Sequence, residues 1–163
     1  MKRLVIVRHA KAEEHRMGLS DFNRSLTDRG VRNASFIAST LVKKGISKGQ
    51  LISSPANRAL ETAQIFAQEF GIDESSIIQK KSLYNFYEIS EIKQLIEEED
   101  IDSDCVFVFG HNPTLAELAY DLSGSFNDHL PTSGVIVIDF DVRSWGEIKN
   151  RQGRIALFEH PKK

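Results

Sequence analysis

The chain is poor in the features that mark secreted, fibrous and membrane proteins. It holds one cysteine in 163 residues, Cys105, which excludes an internal disulfide framework. Its four prolines and ten glycines are scattered and form no low-complexity tract. No apolar run approaches the roughly 18 residues of a membrane span. The opening apolar run, Leu4 to Val7, is broken at once by charge. It is too short for the core of a targeting peptide, so a cytoplasmic protein without membrane attachment is expected. With 21 basic and 23 acidic residues the net charge is -2, which argues against nucleic acid as a partner. Metal-binding and nucleotide signatures are missing as well. His15, His129 and His160 show no ligand spacing of the H-E-x-x-H kind. "KKGISKGQ" lacks the Gly-Lys-Ser/Thr ending of a P-loop.

What is present alternates between two periods. "RLVIV" and "CVFVFG" are unbroken apolar runs, as expected of strands covered on both faces. Between them lie three amphipathic stretches. In the first, Thr27 is the expected N-cap and Val31, Ala34, Ile37, Ala38 and Leu41 share a face, with Gly45 as the stop. In the second, Pro55 is expected to open a helix that buries Ala59, Leu60, Ala63, Phe66, Ala67 and Phe70 and ends at Gly71. "QLISS" and "SIIQK" read as short strands. "SEIKQLIEEED" reads as a helix burying Ile92, Leu95 and Ile96. "NPTLAELAYDLSG" reads as a helix with Asn112 as N-cap and Pro113 in its first turn. "GVIVIDFDV" and "RIALFE" lack a helix between them and predict an antiparallel pair at a sheet edge. The expectation is one domain over residues 1–163. Its fold class is α/β, a three-layer α/β/α sandwich around a mostly parallel sheet of about six strands with an antiparallel edge.

Parallel strands bring their C-terminal ends to one side of a sheet, where α/β proteins bind ligands. Arg8-His9 follow the first strand directly. Arg58 lies in the first turn of the helix after "LISS". His111 follows "CVFVFG", just ahead of another helix. Two guanidiniums match phosphate oxygens with paired donors and keep their charge. A neutral histidine can attack phosphorus and form a phosphohistidine. A second one, protonated, can donate to the transferring oxygens. The chemistry suggested is phosphoryl transfer.

These residues resemble the histidine phosphatase superfamily, and within it the small SixA-type phosphohistidine phosphatases with a phosphoglycerate-mutase-like fold. The matching stretches are "VRHAKAE" at 7–13, "SLTDRG" at 25–30, "SSPANRALETA" at 53–63, "GHNPTLAELAYDLSG" at 110–124 and "LPTSGVIVIDFD" at 130–141. Ala10 stands where the family's Arg-His-Gly motif has glycine, as in much of the small branch. The resemblance implies that His9 is the phosphorylated nucleophile, that Arg8 and Arg58 grip the phosphoryl group and that His111 hydrogen bonds to it. It implies a hydrolase that uses no metal or organic cofactor.

Larger relatives carry a general acid on an inserted segment, and this chain shows no such long insertion. By position Glu88 is the nearest stand-in, although a glutamate ahead of a helix is ordinarily solvated. An alkoxide leaving group needs an acid. A phosphohistidine ring can instead take a proton at its other nitrogen near neutral pH and leave as neutral imidazole. The expected substrate is therefore a histidine-phosphorylated protein. The alternatives are a broader phosphomonoesterase using Glu88 as acid, and a phosphoprotein-binding module without turnover. Phe86 and Tyr87 are a candidate docking rim or ordinary core. Lys11 and Arg24 are candidate sources of positive potential near the pocket.

Overall fold

The structure is a computed structural model and describes residues 1–161. Its centre is a six-stranded sheet in the order β3-β2-β4-β1-β5-β6. The strands are β1 (Lys2–Arg8), β2 (Gln50–Ser53), β3 (Ile78–Gln79), β4 (Cys105–Gly110), β5 (Val135–Phe140) and β6 (Arg154–Glu159). β1, β4, β2 and β3 pair in parallel, while β5 runs antiparallel to both β1 and β6. The mostly parallel sheet with an antiparallel edge is thus found. "SIIQK" contributes only the two residues of β3.

Among the described residues four helices cover the sheet: α1 (Asp28–Lys43), α2 (Asn57–Phe70), α3 (Ile89–Glu98) and α4 (Thr114–Ser123). Strand alternation sorts the core into two layers. Val5, Val7, Phe107 and Phe109 pack with α1 and α2 through Ile37, Leu41, Ala63 and Phe66. Leu4, Ile6, Val106 and Val108 pack with α3 and α4 through Ile92, Leu95, Leu115 and Leu118. Both faces of β1 are therefore covered, and Leu4 to Val7 are completely buried. That is why these strands read as unbroken apolar runs rather than as alternating ones. Each such side chain contributes about 1.5–3 kcal/mol by leaving water.

The helix starts differ from expectation in informative ways. Thr27 caps α1 as expected, its hydroxyl accepting from the Gly30 N–H at 3.0 Å. The buried stripe of α1, however, begins at Gly30 rather than Val31, which is 44% exposed. A Cβ on Gly30 would lie 2.2 Å from the Lys11 carbonyl oxygen. Only glycine lets the helix approach the chain just after His9 this closely. α2 starts at Asn57, two residues beyond Pro55. Asn112 does not cap α4. Its amide donates instead to the Leu130 carbonyl at 2.9 Å, and Pro113 occupies the cap position.

The segment after β1 folds back on itself before entering α1. Ala12 bridges to Leu26, the Glu13 N–H donates to Ser25 O, and the Thr27 N–H donates to Lys11 O. This return carries a short 3-10 turn, Asp21–Asn23, over the start of α2.

Candidate active site

Strand register makes the site. Arg8, the last residue of β1, lies opposite Gly110, the last of β4. Ser53, the last of β2, lies opposite Phe109. His9 and His111 thus leave adjacent strands at the same level, and their ring centroids are 5.3 Å apart. Arg58 enters from the first turn of α2. The four residues expected from the sequence are brought together at one sheet edge.

Backbone bonds fix the turn that carries His9. The His9 N–H donates to Gly110 O at 3.1 Å, and His9 O accepts from the Ser133 N–H at 3.1 Å. The Ala10 N–H donates to the Thr62 hydroxyl at 2.9 Å, which itself donates to Arg58 O at 2.7 Å. Thr62 therefore ties the His9 turn to the helix that carries Arg58.

The ring of His9 is oriented by its own neighbour. Nδ1 lies 2.8 Å from the Ala10 carbonyl oxygen. A carbonyl only accepts, so Nδ1 carries the proton and Nε2 keeps its lone pair. Burial pushes the imidazole down to about 3, against the raising effect of the Ala10 bond and with help from His111, Arg58 and Arg8. His111 is pushed to about 4, by burial first and then by Arg58, with Asp21 opposing and Arg8 and Arg24 adding to the fall. Both histidines are neutral at neutral pH. Two guanidiniums and burial disfavour a further cation at His111 in the free site.

The guanidiniums are tethered on one side. Arg8 donates through Nη1 to Leu130 O at 3.1 Å. Arg58 donates through Nη1 to Asp21 O at 2.7 Å and through Nη2 to the Asp21 carboxylate at 3.0 Å. Nε of each is buried without a protein partner. Burial, and then Arg58, lower Arg8, yet a guanidinium starts so high that it stays charged.

Asp21 escaped the sequence reading. Its carboxylate also accepts from Tyr84 Oη at 2.6 Å and Arg24 Nη2 at 2.8 Å. Partial burial raises this carboxyl, but the bonds from Tyr84, Arg24 and Arg58 outweigh it and hold the group far below the usual range. Tyr84 in turn packs edge-on against the His111 ring at 5.4 Å and lies 6.0 Å from the Arg58 guanidinium carbon. Asp21 sits in an aperiodic loop, so no pattern marked it. The one available signal was its place three residues before Arg24, a residue already suspected of lying near the pocket.

Glu88 is the acid that the sequence offered. It is exposed at the start of α3, where its N–H donates to the Glu91 carboxylate. It makes no hydrogen bond to His9, Arg8, Arg58 or His111. Tyr87 is buried while Phe86 is 62% exposed, so that pair divides between core and surface. Cys105 begins β4 and His111 follows its far end, about 20 Å away at strand rise, so they share no site. Burial pushes the Cys105 thiol up to about 12. Among the described residues no three His, Cys, Asp or Glu side chains gather into a metal-holding group.

A family model, "Histidine phosphatase superfamily (branch 1)", matches residues 4–87, the span that carries Arg8, His9 and Arg58. The chain belongs to the histidine phosphatase superfamily. Within it, a structure of the "putative phosphohistidine phosphatase SixA from Agrobacterium tumefaciens" is similar over 98% of both chains, at 28% identity and a TM-score of 0.79. A protein histidine phosphatase SixA complexed with tungstate shares the fold at 20% identity and a TM-score of 0.78, over 97% of this chain and 96% of that one. A 2,3-bisphosphoglycerate-dependent phosphoglycerate mutase of Thermoplasma acidophilum is 41% identical over 76 residues. That match covers 45% of this chain and 37% of the mutase, so the chain spans little more than a third of that curated relative. No helix among the described residues is long and apolar enough to cross a membrane.

Proposed function

We propose that this chain is a phosphohistidine phosphatase acting on a histidine-phosphorylated protein through a covalent phospho-His9 intermediate. The observation that carries the reading is the state of His9. Its Nδ1 is held by Ala10 O so that Nε2 keeps its lone pair, burial and both guanidiniums disfavour its charged form, and Arg8 and Arg58 each bring to the site an Nε donor without a partner. That is the arrangement a nucleophile needs to attack an anionic phosphoryl group.

In the first step Nε2 of His9 forms a bond to phosphorus while the substrate's P–N bond breaks. The departing imidazole has taken a proton from solvent at its other nitrogen and leaves neutral. Arg8 and Arg58 offset the charge on the phosphoryl oxygens, and His111 hydrogen bonds to them. In the second step water attacks phosphorus, the P–Nε2 bond breaks, and inorganic phosphate leaves with His9 restored.

The substrate class follows from the acids. Asp21 is the carboxylate in contact with Arg58, and it is held ionised by three donors. It is a poor proton source for an alkoxide. Glu88 is exposed at the start of α3 and makes no hydrogen bond to the four site residues. A P–N substrate dispenses with both.

The test compares a histidine-phosphorylated carrier protein with p-nitrophenyl phosphate, both in EDTA, using wild type and Glu88→Gln. Fast loss of phosphohistidine, weak ester cleavage and less than about a twofold effect of Glu88→Gln are expected. Strong ester cleavage that Glu88→Gln abolishes would replace this reading with a general phosphomonoesterase. Phosphate binding without turnover of either substrate would replace it with a docking module.

A further inference from the structure

We infer that Ser54 is a positioning residue that sets the tautomer of His111, placing the proton of the neutral imidazole on Nδ1 so that this atom is a hydrogen-bond donor. The donor's use on a phosphoryl oxygen rests on the phosphatase reading above; the tautomer itself does not.

The argument is a count of hydrogens. Ser54 is completely buried just past the end of β2. Its hydroxyl oxygen accepts from the Ala56 N–H at 3.3 Å and lies 2.8 Å from His111 Nε2. A hydroxyl has one proton to give. Among the described residues, His111 Nε2 is the acceptor that this hydroxyl reaches. If Ser54 donates, Nε2 is the acceptor and the neutral ring carries its proton on Nδ1. If instead Nε2–H donated to Ser54, the serine oxygen would accept twice and its own proton would be buried with no acceptor. Buried polar hydrogens without partners are rare because each forfeits its hydration. An imidazolium would satisfy the bond from the other direction, but burial, Arg58 and Arg8 oppose that charge.

A second observation agrees. Three side-chain nitrogens of the site are buried without partners: Arg8 Nε, Arg58 Nε and His111 Nδ1. Both arginine atoms are donors. With Ser54 donating, His111 Nδ1 is a donor too, and all three nitrogens suit an anion. With the other tautomer a lone pair would stand among the donors and repel phosphoryl oxygen. The Tyr84 ring, itself anchored on Asp21, packs edge-on against the imidazole. The device explains how a second histidine can hydrogen bond to phosphate without charging beside Arg58.

The decisive experiment is a long-range proton–nitrogen spectrum of the 15N-labelled free protein at pH 7, with His111 assigned through the loss of its signals in His111→Gln. Wild type is expected to show a protonated Nδ1 and an unprotonated Nε2. Ser54→Ala should move the proton wholly or partly to Nε2, and Ser54→Thr should restore the wild-type pattern. On a phosphohistidine substrate Ser54→Ala should lower kcat roughly tenfold, the scale of one hydrogen bond kept in the transition state, and Ser54→Thr should recover it. A protonated Nε2 in wild type, or a spectrum unchanged by Ser54→Ala, would overturn the inference. If Ser54→Ala fails to fold, the wild-type spectrum decides alone. If the wild type turns over no phosphohistidine, the phosphatase reading fails while the spectrum still tests the tautomer.

Discussion

Mild acid should destabilise this protein through its two central histidines, and the structure sets the size of the effect. A histidine in the unfolded chain titrates near 6.5. In the folded state burial leads the fall of His111 to about 4 and of His9 to about 3. Between these values the unfolded chain binds a proton that the folded protein refuses. Stability is therefore full above about pH 6.5 and declines as pH drops toward about 4 and then 3. Each group costs about 1.4 kcal/mol per pH unit within its window. Moving from pH 7 to pH 5 should cost about 2 kcal/mol per histidine, or about 4 kcal/mol for the pair. Small domains hold only about 5–15 kcal/mol in all, so the change is readily measured. Asp21 contributes nothing to this interval, because a depressed carboxylate loses its stabilisation only below about pH 4. Urea unfolding at pH 7, 6 and 5 gives the slope, and a His9→Asn/His111→Gln double variant should flatten it. An unchanged urea midpoint between pH 7 and 5 in wild type would refute the reasoning. So would an equal acid loss in the double variant, which would place the effect on other groups.

Other residues around the site make separate predictions. Thr62→Val keeps shape but leaves the buried Ala10 N–H without an acceptor, and should cost about 1–3 kcal/mol in chemical denaturation. Restoration by Thr62→Ser would assign the loss to the hydroxyl. Asp21→Asn removes the ion pair that holds Arg58 Nη2 and the acceptor of Tyr84, and should lower kcat/KM on phosphohistidine about tenfold. An unaltered rate would show that Arg58 needs no tether. The same substitution should leave the unfolding free energy within about 1 kcal/mol of wild type, since the carboxylate is partly exposed.

The architecture was legible where one physical rule governed a stretch. Runs such as Leu4 to Val7 are apolar because helices cover both faces of β1, and the helices on either side showed a 3.6-residue stripe for the same reason. Arg8, His9, Arg58 and His111 were legible because each sits within a residue or two of a strand end or helix start, and a parallel sheet gathers such positions. What failed was whatever tertiary contact decided. Val31 has the right spacing to face inward, but the Lys11 backbone already fills that level of α1 against Gly30. Asn112 is a good N-cap in isolation, and Leu130 O takes its amide instead. Asp21 belongs to a loop whose placement depends on the return of residues 11–27 onto themselves. Ser54 lay inside a stretch noted for its resemblance, but its role requires knowing that β2 and β4 are neighbours.

The most direct test of the account is to trap the phosphoenzyme. Wild type and His9→Ala would be mixed with a carrier protein bearing 32P-phosphohistidine and quenched in alkali within the first turnover. The account predicts alkali-stable, acid-labile label on wild type, mapped to the peptide containing His9, and none on His9→Ala. Release of phosphate by wild type without labelled His9, or undiminished turnover by His9→Ala, would contradict it.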